Sequence, residues 1–209
     1  MAAANSTKLK ILETAEHLFA EQGFAETSLR LITDEAGVNL ASVNYHFGSK
    51  KELIRAVLAR HLDIVMPTLE QNLLDLQHDA NIKQVLNALA MAILALNNQS
   101  AEGTRIFLQI LGRGYMESQG HLRWFIMTEY GQALNVFIER VSNAMPQISR
   151  SDLFWRMHFS LGAMIFTIGS GKALIEIAEA DFSQNNKIEN IVDMLVSYVA
   201  AGVSGTSIS

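Results

Sequence analysis

The stretch GFAETSLRLITDEAGVNLASVNYHFGSKKEL, residues 23–53, decides the fold. Thr27 and Ser28 are both helix-capping types, and Leu29, Ile32 and Ala36 after them share one face of a short helix. Gly37 breaks that helix, because glycine takes a left-handed turn without strain. Asn39 then starts another helix, whose inward residues are Val38, Val43 and Phe47. Two short helices joined through a glycine turn make a helix-turn-helix, in which the second helix enters the major groove of DNA. Such pairs also occur in all-α proteins without DNA function, so the layout alone leaves both readings open.

The outward face of the second of these helices favours DNA. Once Val43 and Phe47 are buried, Leu40, Ala41, Ser42, Asn44, Tyr45 and His46 remain outside. Leu40 and Ala41 suit contact with thymine methyl groups, and Ser42 and Asn44 can hydrogen-bond bases or phosphates. Tyr45 and His46 have tips that reach phosphate. Lys50 stands at the start of the next helix, where free N–H groups and the helix dipole also favour an anion. Thr27 and Ser28 occupy the corresponding place on the preceding helix, and Arg30 lies one turn in. Each of these is also an ordinary surface residue type.

Before this stretch, Ile11, Leu12, Ala15, Leu18 and Phe19 mark a first helix from about Ser6 to Gln22, closed by Gly23. After it, Ser49 and Glu52 form a capping box for a fourth helix, about 49–65, with Pro67 near a bend or stop. Later helical segments are Asn81–Asn97, Thr104–Leu111 ending near Gly112 and Gly114, about Gln119 to Pro146, Ser151 to about Ala180, and Lys187–Val203. No strand alternation, repeat or low-complexity tract is present. The expected fold is all-α, with about nine helices. A three-helix DNA-binding module at 1–50 precedes a larger helical ligand-binding and dimerisation domain at 51–209, joined by the fourth helix.

Bulk properties are consistent with this. Of 209 residues, 49% are apolar and only two are proline, which favours long helices and a sizeable core. There is no cysteine, so disulfides and thiolate metal sites are excluded and a cytoplasmic location is expected. Residues 1–10 hold no apolar run of the signal-peptide kind. The longest uncharged apolar stretch, Met157–Gly171, is shorter than the ~20 residues of a membrane span, so no membrane partner is expected. The net charge of −5 falls on residues 61–209, since residues 1–60 are neutral overall. Within 39–60, Lys50, Lys51, Arg55 and Arg60 face Glu52 alone, a local positive patch of the kind phosphates require.

Residues 9–58 resemble the DNA-binding signature of the TetR family. The likeness is carried by Ile11, Ala15, Leu18, Phe19, Gly23, Phe24, Thr27, Ile32, Ala36, Gly37, Val38, Tyr45, His46, Phe47, Ser49, Lys50 and Leu53. It implies a homodimer that binds a DNA operator. It also implies that Thr27, Tyr45, His46 and Lys50 contact phosphates and that Arg30, Ala41, Ser42 and Asn44 lie at or near the bases. The family usually has tyrosine where Asn44 stands and a variable residue at Tyr45. The runs from Ser28 and from Gly37 are also similar to a fatty-acid-responsive PsrA-type subgroup. That implies a long-chain fatty acid or acyl-CoA as ligand; the alternative is another hydrophobic or aromatic compound.

Candidates for ligand binding are Phe107, Trp124, Met127, Phe137 and Phe159, because aromatic and Met side chains line adaptable apolar pockets. Arg113 and Arg123 offer paired donors for an anionic head group. For dimerisation, Ile188, Ile191, Leu195 and Val199 form a stripe on the last helix, and Leu161, Ile165 and Ile168 on the one before. Both stripes could instead face the protomer core.

Enzyme motifs fail on inspection. Gly169-Ser-Gly171-Lys172 would need glycine at Phe166 and Ser/Thr at Ala173 to be a phosphate loop. Gly112-Arg-Gly114 has Glu117 where a dinucleotide motif needs glycine. The six histidines show no ligand spacing, so neither a metal nor a cofactor is expected. A helical lipid carrier is the remaining rival; it leaves outward Leu40 and Ala41 unexplained.

Overall fold

A computed structural model describes residues 2–117 and 120–205. Among these residues there is no strand. Eleven α-helices follow one another, with one short 3-10 turn at Ala95–Asn98. The chain forms two compact units, residues 1–63 with 106–129, and residues 64–105 with 130–209. These units cut the chain differently from a division by role at residue 50, because residues 106–129 join the N-terminal helices.

The first unit begins with α1 (Ala2–Gln22), α2 (Leu29–Ala36) and α3 (Leu40–Phe47). Ile11, Ala15 and Phe19 of α1 meet Ile32 of α2 and Val43 of α3 in a buried core. Phe24 lies edge-on to Phe19, with ring centroids 5.2 Å apart. Helix α4 (Lys50–Leu74) begins here and continues into the second unit. It passes through Pro67, where a bend or stop is expected. Pro67 is exposed, while Leu62, Val65, Met66, Leu69 and Leu73 around it are buried, so packing of the opposite face sustains the helix. Helix α6 (Gly103–Met116) likewise passes through Gly112 and Gly114, anchored by buried Ile106, Phe107, Leu108 and Ile110. Helix α7 (Gly120–Glu129) completes the unit.

The second unit contains α5 (Ile82–Leu94), α8 (Gly131–Ala144), α9 (Arg150–Gly169), α10 (Gly171–Phe182) and α11 (Ile188–Ser204). Asn81 and Gln84 form a reciprocal capping box on α5. Helix α11 packs on α5 and α9, and α5 on α8. Two segments expected as single helices are each two. The first divides at Tyr130, and its expected start, Gln119, lies outside the described residues. The second divides at Ser170, where α9 and α10 bend by 70°. Arg140 of α8 clamps the end of α4, donating to the carbonyls of Leu73 at 2.9 Å and Gln77 at 3.0 Å. Arg156 of α9 is buried and donates to the carbonyls of Val203 and Gly205 at the end of α11. Among the described residues no single helix is long and apolar enough to cross a membrane.

Candidate nucleic-acid interface

The α2–α3 pair is capped as its sequence requires. Ser28 is the N-cap of α2, and its hydroxyl accepts the N–H of Leu31 at 3.0 Å. Gly37 closes α2 at φ 64°, ψ 38°, with its N–H bonded back to the helix. Two residues later Asn39 caps α3: its Oδ1 accepts both the N–H and the hydroxyl of Ser42, at 2.9 and 3.0 Å. Ile32 of α2 and Val43 and Phe47 of α3 are buried, which fixes the rotation of α3 about its axis. Leu40, Ala41, Asn44 and Tyr45 are left facing out, with Ser42 and His46 at the margin. Leu40 is 47% exposed and Tyr45 82%. The ring of His46 lies between those of Tyr45 and Phe47, with centroids 5.0 and 6.2 Å away.

Thr27 is a correction. Expected at a phosphate, it is 0% exposed, and its hydroxyl donates inward to the carbonyl of Gly23 at 2.7 Å, with that of Leu18 at 3.2 Å. Its side chain therefore locks the turn between α1 and α2. Ser28 and Arg30 do remain exposed.

The positive patch is narrower than the sequence suggests. Arg55 is half-buried, pairs with Glu52 at 2.8 Å, and lies over the rings of Trp124 and Phe125 at 5.7 and 5.8 Å. Arg60 reaches Glu13 and Glu16, both at 3.6 Å. That leaves Lys50 and Lys51, on the first turn of α4, as the core of the patch. Beside them, burial first, and then the Lys51 and Arg55 charges, push the His121 imidazole below its ordinary value, against the pull of Glu52. The charged form of His121 is thereby disfavoured beside these lysines. Ser49 accepts the Glu52 N–H at 3.2 Å, one half of the expected capping box, while the Glu52 carboxylate turns to Arg55.

Sequence reasoning overlooked Lys8. Its ammonium sits 6.0 Å from the Phe47 ring centroid at the end of α3, a neighbour supplied by α1. No local motif around Lys8 signals this.

The ligand candidates fall in both units. Phe107 is buried beside His61, with ring centroids 5.5 Å apart. Arg113 donates to the carbonyl of Glu21 at 2.9 Å, a commitment to α1 rather than to an anionic head group. Arg123, Trp124 and Met127 are exposed on α7. Phe137 and Phe159 belong to the second unit, the first buried and the second exposed. Of the expected dimer residues, Ile168 and Val199 are buried inside the protomer, and Leu161, Ile165, Ile188, Ile191 and Leu195 are half-buried.

A capped helix pair with an exposed, mixed apolar and polar outer face has the layout of a helix-turn-helix. Residues 11–57 match the description "Bacterial regulatory proteins, tetR family", and residues 87–202 match "Tetracyclin repressor-like, C-terminal domain". The chain belongs to the TetR family of transcription regulators, a family of DNA-binding proteins rather than enzymes. It is similar to YttP of Bacillus subtilis, assigned as an HTH-type transcriptional regulator, with 33% identity over 48% of each chain. It is also similar to the HTH-type transcriptional repressor KstR2 of Mycobacterium tuberculosis, 41% identical over 28% of this chain and 30% of that one. The matches thus span about half the length of these curated relatives or less. Among solved structures, a TetR-like regulator from Rhodococcus sp. RHA1 shares the fold at TM-score 0.61 and 18% identity, covering 96% of this chain and 97% of that one. A chain from Clostridium perfringens, proposed to be a fatty acid metabolism regulator, shares it at TM-score 0.59 and 21% identity, covering 92% and 97%.

Proposed function

We propose that this protein is a cytoplasmic, homodimeric repressor. It holds two copies of α3 in successive major grooves of a palindromic operator and leaves it on binding a long-chain fatty acid or acyl-CoA. The observation that carries the DNA half is the outer face of α3. Leu40 and Tyr45 are exposed there while Val43 and Phe47 on the opposite side are buried, so two large apolar-bodied side chains share the outer face with Ala41 and Asn44. In this reading Arg30, Ala41, Ser42 and Asn44 lie at or near the bases, and Ser28, Tyr45, His46 and Lys50 hold phosphates.

Pairing is assigned to a different face of the last helices from the one the stripes suggest. Trp155, Phe159 and Phe166 line one side of α9, and Met194 and Tyr198 one side of α11. All five are more than half exposed in the protomer. Gly162 and Gly202 stand in the same rows with open space before them, which allows close approach of a second copy.

The ligand is supported by composition and by likeness. The Clostridium perfringens chain of the same fold is connected with fatty acid metabolism. Release is a population shift: a ligand that favours another spacing of the α3 helices lowers operator affinity by its differential binding energy. Helix α4, continuous from one unit to the other, is the lever. Equal affinity of palmitoyl-CoA for the free and DNA-bound protein would defeat this. The test is selection of duplexes from a random pool at fixed salt, with and without palmitoyl-CoA. An enriched palindrome lost on adding palmitoyl-CoA is expected. A palindrome indifferent to it removes the acyl ligand and leaves the regulator, and no enrichment removes both.

A further inference from the structure

Between α1 and α2 the chain turns sharply, and Gly23, at φ 88°, begins the turn. The backbone N–H groups of Phe24 and Ala25 that follow both donate to a single carboxylate. Phe24 bonds Glu117 Oε1 at 3.0 Å, and Ala25 bonds Oε2 at 2.7 Å. One turn earlier on α6, Arg113 donates to the carbonyl of Glu21, in the last turn of α1. The end of α6 therefore sets an acceptor against the donors of the turn and a donor against an acceptor of α1. A Cβ at Gly23 would collide with Glu117 Oε1, so the approach is tight. From the other side, the buried Thr27 hydroxyl ties the turn to the Gly23 carbonyl. The next residue, Ser28, is the N-cap of α2.

The turn is pinned on both sides, and its far end is the first residue of the helix-turn-helix. Glu117 is a poor partner for DNA itself, because phosphates repel a carboxylate. Its bonds to backbone N–H groups are charge-assisted and so among the stronger ones available to a turn. We propose that Glu117, seconded by Arg113, is the positioning residue of the DNA-binding module: it sets the angle at which α2 and α3 meet DNA. This rests on the reading of α3 as the recognition helix.

The test uses the full chain, the palindrome it enriches, and a scrambled duplex at the same salt. Affinities for both duplexes and the thermal midpoint are measured for Glu117→Ala, Glu117→Gln and Arg113→Ala. Asn81→Ala, which removes the capping box of α5, is the control that lowers the midpoint alone. Glu117→Ala should weaken operator binding about tenfold or more and leave scrambled binding within about twofold. Glu117→Gln keeps one acceptor and should fall between. An unchanged ratio of operator to scrambled affinity overturns the inference, however far the midpoint drops. If Glu117→Ala does not fold, Glu117→Gln and Arg113→Ala carry the same comparison. A wild-type chain that enriches no palindrome defeats the DNA reading and this inference with it, whereas an enriched palindrome with an unchanged ratio defeats this inference alone.

Discussion

Tyr45 and Thr27 are both hydroxyl-bearing residues within the matched DNA-binding segment, yet the structure gives them opposite surroundings. Tyr45 stands out in solvent. Tyr45→Ala should therefore leave the thermal midpoint nearly unchanged, within about 0.5 kcal/mol of stability, while weakening operator binding. Thr27→Val removes a buried hydroxyl that bonds two carbonyls and should cost about 1–3 kcal/mol by denaturant unfolding. The DNA-binding salt slope of this variant should match the wild type. Lys50→Ala should instead lower that slope by about 0.9 for each phosphate that is no longer neutralised, read from binding constants across a salt series. Which residues face out on α3 was legible, because Val43 and Phe47 fix its rotation. The fates of Thr27, Arg55 and Arg60 were not. Thr27 bonds the carbonyls of Gly23 and Leu18, four and nine residues back, across a turn whose course helix periodicity does not set, and Arg55 and Arg60 meet α7 and α1, which no local pattern encodes.

At the level of the helices, a buried tie within the first unit joins α1 to α4. His61 Nε2 approaches Glu16 Oε1 to 2.7 Å, though the ring is turned away from an aligned hydrogen bond, and both side chains are buried. Burial alone would raise the Glu16 carboxyl; the His61 and Arg60 partners outweigh it and hold the group below its ordinary 4.5. A depressed carboxyl stabilises the fold fully above its unfolded value and loses that contribution as pH falls through the lower folded value. Glu16→Gln should therefore flatten the fall of the thermal midpoint as the pH drops below about 4.5. Parallel curves for the two proteins would contradict the tie. Helix starts marked by Ser28, Asn39 and Asn81 or stopped by Gly37 were readable, since each cap acts within four residues. Gly112, Gly114 and Pro67 misled because their local cost, about 1 kcal/mol for a glycine, is smaller than the packing of the apolar neighbours that carry α6 and α4 through. The break at Ser170 lay inside an apolar run with no proline to announce it.

For the whole molecule, the proposed pairing face decides whether one α3 helix or two reach DNA. Phe159→Glu and Phe166→Glu place charges on the exposed row of α9 and should yield monomers by sedimentation, folded by circular dichroism, with operator binding reduced to the non-specific level. Dimers that persist in both variants would move the interface elsewhere. Composition and patterning disclosed the apolar last helices. They did not disclose which side remains free, since Ile168 and Val199 point into the protomer by virtue of the packing of α11 on α9 and α5. In the proposed function two copies of α3 read one palindrome from one face of the duplex. Hydroxyl-radical footprinting of the protein on its enriched palindrome tests this most directly. Two protected tracts are expected on the same face, about 10 base pairs or a small multiple of that apart, with the major groove covered at each centre. A single protected tract, or protection that is the same on a scrambled duplex, would contradict it.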